Sequence, residues 1–342
     1  MFDTHDRILE IAHRYLRNVR KTGAENIVAT CPIHRKADGS SERNPSFTLS
    51  LINGLWQCHS CKERGALPRL LSLISDGYHV TKLYEDLFED LRKQRAIDRP
   101  AHLASNYVTA EPLPEAVLGF FDMCPLPMLE EGFTEETIRR FEVGFDMKHH
   151  RVTFPIRDID GTLMGVSGRT VIDDVPRHKV YDREYEAYGL PLQRPARKSI
   201  TLWNGHTLYP TLFSTYNPEA LVVVEGFKAC MWLWQAGITN VVALLGSNLS
   251  QVQKWLLERV GAPIYLMLDN DKAGHAARHH IGEILAKSLP LFVVEYEYKQ
   301  PSDVPQEALT PMFSGADNYY AWASKKALEE TTCHHSAKTP TT

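Results

Sequence analysis

The sequence predicts a multidomain α/β protein: a small cysteine-bearing β domain, then an α+β lobe, then a domain built on a parallel sheet. Three observations predict it. Two Cys/His pairs, Cys31-Pro32-Ile33-His34 and Cys58-His59-Ser60-Cys61, bracket a hairpin-like segment near the amino terminus. From residue 220 to 296, short apolar runs alternate with helical patterns, and strands apolar on both faces belong to a parallel sheet covered on both sides. Between these regions, Arg151–Ile156 and Thr162–Arg169 flank Asp160-Gly161 as the arms of a hairpin would. A chain of 342 residues also exceeds the ~250–300 that one core usually holds, so two or three domains are expected.

The elements follow in order. Ile8, Leu9, Ile11, Ala12, Tyr15, Leu16 and Val19 give residues 5–20 helical spacing. Ser46–Leu51 and Leu55–Cys58 alternate about Asn53-Gly54, a strong hairpin turn. Residues 66–74 close this region as a short helix, and Val80–Lys93 has a second helical pattern. Arg99–Pro114 is rich in proline and polar residues and reads as a linker. Thr134-Glu135-Glu136 starts a helix with a hydroxyl cap and acids in the first turn. Strands are expected at Leu221–Val224, Asn240–Leu245, Ile264–Leu268 and Leu291–Tyr296. Helices are expected at Phe227–Ala236, Leu249–Val260 and Ala273–Lys287. The domains are placed at 1–76, 113–218 and 219–310, with a helical segment and linker at 77–112 and a C-terminal tail at 311–342 that ends in polar residues and is disordered at its end.

Composition narrows the function classes. With 43% hydrophobic and 23% charged residues, the chain is neither disordered nor fibrous. Its longest apolar stretches, Leu221 to Glu225 and Ile264 to Leu268, are far short of the ~20 residues of a membrane span. The charged start, Met1 to Arg7, has no apolar signal core, so a cytoplasmic location with no membrane partner and no disulfide framework is expected. Net charge is −4 but uneven. Residues 1–70 hold eleven Lys and Arg against seven Asp and Glu, and residues 71–142 hold seven against fourteen. A basic first domain fits local contact with a polyanion, or simply a solvated surface. No Gly-x-x-x-x-Gly-Lys-Ser/Thr loop occurs, so any ATP-driven motor belongs to another chain.

Cys31, His34, Cys58 and Cys61 have the paired two-residue gaps that turn both ligands of a knuckle toward one tetrahedral zinc ion. His59 competes as a ligand with a less suitable spacing. Such an ion folds a small domain whatever else the domain does. Arg35, Lys36, Arg43, Lys62 and Arg64 surround the ligands and could hold phosphates, while Phe47 and Trp56 could stack on unpaired bases. Strand aromatics are also commonly core, and that alternative stands beside the first.

The second constellation is acidic. Glu225-Gly226, Asp269-Asn270-Asp271 and Ser302-Asp303 each follow a predicted parallel strand, at the carboxyl edge where ligands bind in such sheets. Hard oxygen ligands in this number suit Mg²⁺ or Mn²⁺ and phosphoryl transfer. The competing reading is that these acids cap the helices that follow. Arg169, His178, Lys179, Lys228 and Lys272 are candidates to hold phosphate charge.

With these residues in view, the chain resembles bacterial and phage DnaG-type primases over roughly residues 5–305. The Cys-His-Cys-Cys pattern with Asn44-Pro45-Ser46-Phe47 resembles their CHC2-type zinc ribbon. Phe154-Pro155-Ile156 and Gly165–Arg169 resemble the amino-terminal lobe of their polymerase domain, and Glu225-Gly226 with Asp269-Asn270-Asp271 resembles the Toprim fold. The resemblance implies a DNA-directed RNA polymerase of primase type acting on single-stranded DNA with nucleoside triphosphates. Glu225, Asp269, Asp271 and Asp303 would bind the catalytic metals, and Arg169, Lys179 and Tyr181 would lie in the nucleotide and template groove. A separate replicative helicase would be the partner, and a phage, plasmid or other mobile element the source. Ala229 stands where the family carries an acid four residues after the Toprim glutamate, and a single Asp303 stands where it often carries two acids. A Toprim nuclease, and a non-catalytic DNA-binding accessory protein, are the competing readings.

Overall fold

The computed structural model describes residues 4–33, 45–61, 63–74, 83–94, 112–172, 177–181, 186, 197–208 and 219–336. The chain divides into two compact units, Met1–Thr215 and Tyr216–Thr342.

The first unit begins with α1 (Thr4–Tyr15), then β1 (Arg17–Thr22), β2 (Asn26–Thr30), β3 (Phe47–Ser50), β4 (Leu55–Cys58) and β5 (Arg64–Ala66). It continues through α2 (Leu67–Ile74) and α3 (Glu85–Gln94). The five strands form one antiparallel meander in chain order. The helix expected over 5–20 stops at Tyr15. Asn18 adopts a left-handed φ of 57°, tolerable for Asn, and sends its amide to Thr30 Oγ1 at 2.9 Å, while the register of β1 shifts between Arg17 and Arg20. The Asn53-Gly54 hairpin forms as read. Gly54 has a φ of +66°, and a Cβ there would lie 2.9 Å from Leu91 Cδ1, so the turn needs glycine on both counts. Ile8, Ile11, Phe47, Leu49, Trp56, Leu67, Leu71, Leu87 and Leu91 share one core beneath the meander. The linker read at 99–114 falls largely outside the described residues.

The lobe follows. A 3₁₀ turn (Glu115–Phe121), α4 (Leu126–Glu130) and α5 (Glu135–Arg140) precede β6 (Gly144–Asp146), β7 (Arg151–Arg157), β8 (Leu163–Thr170) and β9 (His178–Val180), an antiparallel sheet in that order. Thr134 caps α5 by accepting from Thr137 N–H at 3.2 Å. Arg157, on β7 and fully buried, forks to Glu115 and to Glu142 through four 2.8 Å bonds and ties the 3₁₀ turn to the sheet. Removing one partner of such a buried pair costs about 3–5 kcal/mol, because the remaining charge is stranded.

The meander and the lobe meet in a buried ionic seam. Arg140 at the end of α5 pairs with Glu63 at 2.5 Å, and Arg69 of α2 donates to His206 Nε2 at 2.8 Å and to Arg140 O at 3.0 Å. Burial, then Arg157 and Arg140, hold the His206 ring well below its ordinary range, so it stays neutral and accepts.

The second unit contains β10 (Leu221–Val224), α6 (Phe227–Gln235), β11 (Val241–Ala243), α7 (Gln251–Val260), β12 (Ile264–Leu266), α8 (Lys272–Leu285), β13 (Leu291–Val293), α9 (Gln306–Ser314), β14 (Asp317–Asn318) and α10 (Tyr319–Ser336). The sheet order is β11-β10-β12-β13-β14, parallel except for β14. The four expected parallel strands are present: β10 over the range expected, the other three shorter than the apolar runs that marked them. The tail assigned from residue 311 is structured through Ser336, and its end, expected to be disordered, lies outside the described residues. β14 completes the sheet edge, Trp322 of α10 is buried beside His279, and Lys326 pairs with Glu295 at 2.9 Å.

Candidate metal centres

The cysteine site is built by the meander. Cys31 follows β2, Cys58 ends β4, and Cys61 lies in the turn before β5. Their sulfurs all lie within 4.8 Å of one another, with Cys31 and Cys61 4.0 Å apart. Ser46 Oγ lies 3.1 Å from Cys58 Sγ, and Cys61 N–H donates to the same sulfur at 3.4 Å. Hydrogen bonds from Cys31 and Cys61 hold the Cys58 thiol far below its usual range. Three sulfurs so gathered fit three of the four ligands of a tetrahedral zinc ion. His34, expected as the fourth ligand, lies outside the described residues. His59 does not join the cluster: its ring contacts Thr48 Oγ1 at 3.2 Å and Gln57 Nε2 at 3.3 Å.

The aromatic half of the expected surface is corrected. Trp56 is 2% exposed, stacks on buried Phe47 at 5.4 Å and donates its indole N–H to Ala66 O at 2.9 Å. Both rings are core, because the residues flanking them on each strand take the outer face. Arg64 is buried as well. Arg35, Lys36, Arg43 and Lys62 lie outside the described residues.

The acidic site is built by the carboxyl edge of the parallel sheet. Glu225 follows β10, and Asp269 follows the central β12. The Asp269 N–H donates to Glu225 Oε1 at 3.2 Å. Asp271 caps α8, accepting from Gly274 N–H at 2.8 Å, so one of the expected metal ligands does perform the capping role of the competing reading. Gly274 allows this approach. A Cβ there would fall 1.9 Å from Asp269 O and 3.0 Å from Glu225 Oε1. Burial, then Asp269 and Asp271, push the Glu225 carboxyl up to about 7. Asp269 is raised by burial, Asp271 and Asp303, with Arg278 opposing. Asp303 is exposed and accepts from Gln300 Nε2 at 2.8 Å. These carboxylates destabilise one another, and a divalent cation among them would relieve that repulsion. Among the described residues, no three carboxylates bring ligand atoms within 4.8 Å of one another, as the sulfurs do, so an ion here would keep some of its waters. Position 229 is a buried alanine on α6.

The sequence reading missed the support under the acidic loop. Arg278 of α8 is 1% exposed. It donates from Nη2 to Leu268 O at 2.7 Å and Asp269 O at 3.1 Å, and from Nη1 to Asn270 Oδ1 at 3.3 Å. Its guanidinium lies 5.9 Å from the ring centre of Tyr296, whose hydroxyl also donates to Leu268 O, at 2.6 Å. A signal was available: Arg278 sits beside Gly274, Ala277 and Ile281 on the stripe of α8 that must face the sheet.

Of the expected phosphate-holding residues, Lys228 lies half-buried in the first turn of α6, three residues after Glu225, in the second unit. Arg169 and Lys179 are in the first unit, on β8 and β9, half-buried and exposed. Tyr181 is corrected. It is fully buried against Phe121 and donates its hydroxyl to Asp146 Oδ2 at 2.6 Å, so it cannot face a groove.

Comparison with known proteins agrees with this arrangement. Residues 2–99 match the family model of the CHC2 zinc finger, and residues 222–305 match that of Toprim-like domains. The chain is similar to the DNA primase of Rickettsia felis, 26% identical over 317 residues that cover 78% of this chain and 49% of that one. It is 23% identical to the DNA primase of Staphylococcus epidermidis over 348 residues, 84% of this chain and 54% of that one. The chain thus spans about half the length of the curated relatives it matches. Among solved structures, the zinc-binding and RNA polymerase domains of the Aquifex aeolicus primase superpose with a TM-score of 0.58 at 22% identity, covering 97% of this chain and 90% of that one. The fold is that of a zinc ribbon, an α+β lobe and a Toprim domain in DnaG-type order.

Proposed function

We propose that this chain is a DnaG-type primase module that synthesises short RNA primers on single-stranded DNA by metal-dependent nucleotidyl transfer. The observation that carries the reading is one chain holding, in primase order, a three-sulfur knuckle and acidic residues that follow the parallel strands of a Toprim-like sheet. The relatives are primases of cellular bacteria, so the reading carries the reaction and not a phage or plasmid source.

Glu225, Asp269, Asp271 and Asp303 would hold Mg²⁺ or Mn²⁺, which when bound neutralises triphosphate charge and activates the primer 3′-hydroxyl. The chain's own residues supply position and charge. Asp271 stiffens its loop by capping α8, and Arg278 fixes the loop backbone from below. Lys228 in the first turn of α6 would meet the triphosphate, and Arg169 and Lys179 would meet nucleic-acid phosphates. No side chain acts as nucleophile, and rate enhancement comes from orientation and electrostatics, as in other phosphoryl transfers. Strand separation would fall to a separate helicase.

The test incubates the protein with single-stranded DNA, nucleoside triphosphates and Mg²⁺ or Mn²⁺. Short RNA products that disappear in Asp269→Asn are expected. Template degradation without nucleotide incorporation would instead establish a nuclease, and DNA binding without chemistry an accessory protein.

A further inference from the structure

Tyr181 is buried, but the group that holds its hydroxyl reaches the surface through another side chain. Asp146, at the end of β6, is 0% exposed. Its Oδ1 accepts from the N–H groups of Lys148 and His149, at 2.9 and 3.1 Å. Its Oδ2 accepts from Tyr181 at 2.6 Å and contacts His149 Nδ1 at 2.7 Å. The Tyr181 ring lies edge-on to the imidazole, with ring centres 6.4 Å apart. A buried carboxylate placed in this way accepts the hydrogen bond of Nδ1–H and fixes the ring, so Nε2 is the outer corner of a partly exposed side chain.

The backbone bonds from Asp146 would stabilise the β6–β7 turn without any imidazole. What the imidazole faces decides its use. Register puts this turn at the same end of the sheet as the end of β8 and the start of β9. Arg151 pairs with Thr170, Arg169 pairs with His178, and Val171 N–H donates to His150 O at 3.1 Å. That end carries Lys148, His150, Arg177, His178 and Lys179, all exposed, with half-buried Arg169. Burial lowers the pKa of the Arg169 guanidinium, nearby Glu131 raises it, and Arg177, a like charge, lowers it. A rim of this composition recruits an anion, and the fixed imidazole gives it one ring nitrogen of defined direction.

We propose that His149, oriented by the Asp146–Tyr181 pair, is a phosphate-binding residue of the lobe. In the bound state Nε2–H donates to a phosphate oxygen while Nδ1–H donates to Asp146 Oδ2. This deepens the reading of the lobe as a nucleic-acid surface and rests on it. The phosphate belongs either to single-stranded DNA or to a nucleoside triphosphate, and both are probed with the full-length chain. His149→Gln keeps a polar side chain of similar reach. It is expected to weaken binding of a labelled oligodeoxynucleotide about fivefold and to flatten the slope of log affinity against log salt by roughly 0.7, one phosphate contact on a single strand. His149→Arg restores both by supplying a permanent charge, and Tyr181→Phe gives a smaller loss in the same direction. If the triphosphate is the ligand, a fluorescent nucleotide loses affinity instead and the oligonucleotide does not. Wild-type affinity for both probes in His149→Gln overturns the proposal. The primase reading is judged separately, by primer synthesis in the wild-type protein. A wild type that binds but makes no primer, with His149→Gln still impaired in binding, removes that reading and leaves this one standing.

Discussion

Replacing Arg278 with Met tests whether the acidic loop depends on its buried brace. Met has nearly the length of the arginine stem and no donors. The substitution removes four bonds from a charged donor, to Leu268 O, Asp269 O, Asn270 Oδ1 and His275 Nδ1, each worth about 1.5–3 kcal/mol to the partners it satisfies. Leu268 O keeps the Tyr296 hydroxyl at 2.6 Å and is not orphaned. Asp269 O loses its side-chain donor, at about 1–3 kcal/mol, and the contact of the guanidinium with the Tyr296 ring adds about 1 kcal/mol. Against this, Met no longer has to strip water from a guanidinium. The net expectation is a loss of about 2–4 kcal/mol from the second unit. Because the bond to Asp269 O fixes the backbone of an expected ligand, Mn²⁺ affinity should fall about 10–100-fold, the usual cost of removing support behind a metal ligand. Arg278→Lys reaches one carbonyl and falls between. Urea unfolding gives the stability, and electron paramagnetic resonance titration gives the Mn²⁺ affinity. A folded Arg278→Met protein that binds Mn²⁺ as tightly as the wild type would refute the brace.

Two further outcomes are expected. In metal-free protein, Glu225 holds its proton up to about pH 7 when folded but only to its ordinary range near 4.5 when unfolded, so folding is favoured at low pH and stability falls as pH rises between those values. Because Glu225 is only partly buried, the full shift is discounted to roughly 1–2 kcal/mol. Urea midpoints at about pH 5 and about pH 8 measure it, Glu225→Gln should flatten the profile, and Mg²⁺ should raise Tm more at the higher pH; a flat wild-type profile contradicts the assignment. Cys58→Ser should lose bound zinc and, with it, the near-ultraviolet signature of Trp56 packed on Phe47; unchanged zinc content measured by elemental analysis removes Cys58 from the ligand set.

Local chemistry made much of this molecule legible. The Asn53-Gly54 turn, the Thr134 cap and the apolar strands of the second unit each declare themselves within a few residues, and each is in place. The same holds for Cys31, Cys58 and Cys61, where two knuckles need only a hairpin to bring them together. What escaped depends on partners distant in sequence or on which face a strand turns inward. Nothing near Arg157 announces Glu115, forty-two residues away, or that a guanidinium there is buried. Trp56 and Tyr181 carry the right chemistry for a binding surface, yet a residue type does not say which side of a sheet it faces. β14 is two residues long and has meaning only beside β13, so a polar stretch concealed it. Asp146 and His149 stood three apart in plain view, but the burial that makes the pair informative comes from Tyr181, thirty-five residues on.

The ionic seam beneath the meander limits how freely these parts can be exchanged. Glu63 stands two residues beyond Cys61, and Arg69 lies on the helix that closes the ribbon; their counterparts, Arg140 and His206, belong to the lobe. Cutting the chain at residue 76 would therefore cut through a shared set of charges rather than between two finished modules. The severed lobe would keep Arg140 without its carboxylate. A ribbon grafted from a relative would have to bring both an acid and an arginine at these places, so shuffling of such ribbons is constrained at the joint as firmly as at the zinc.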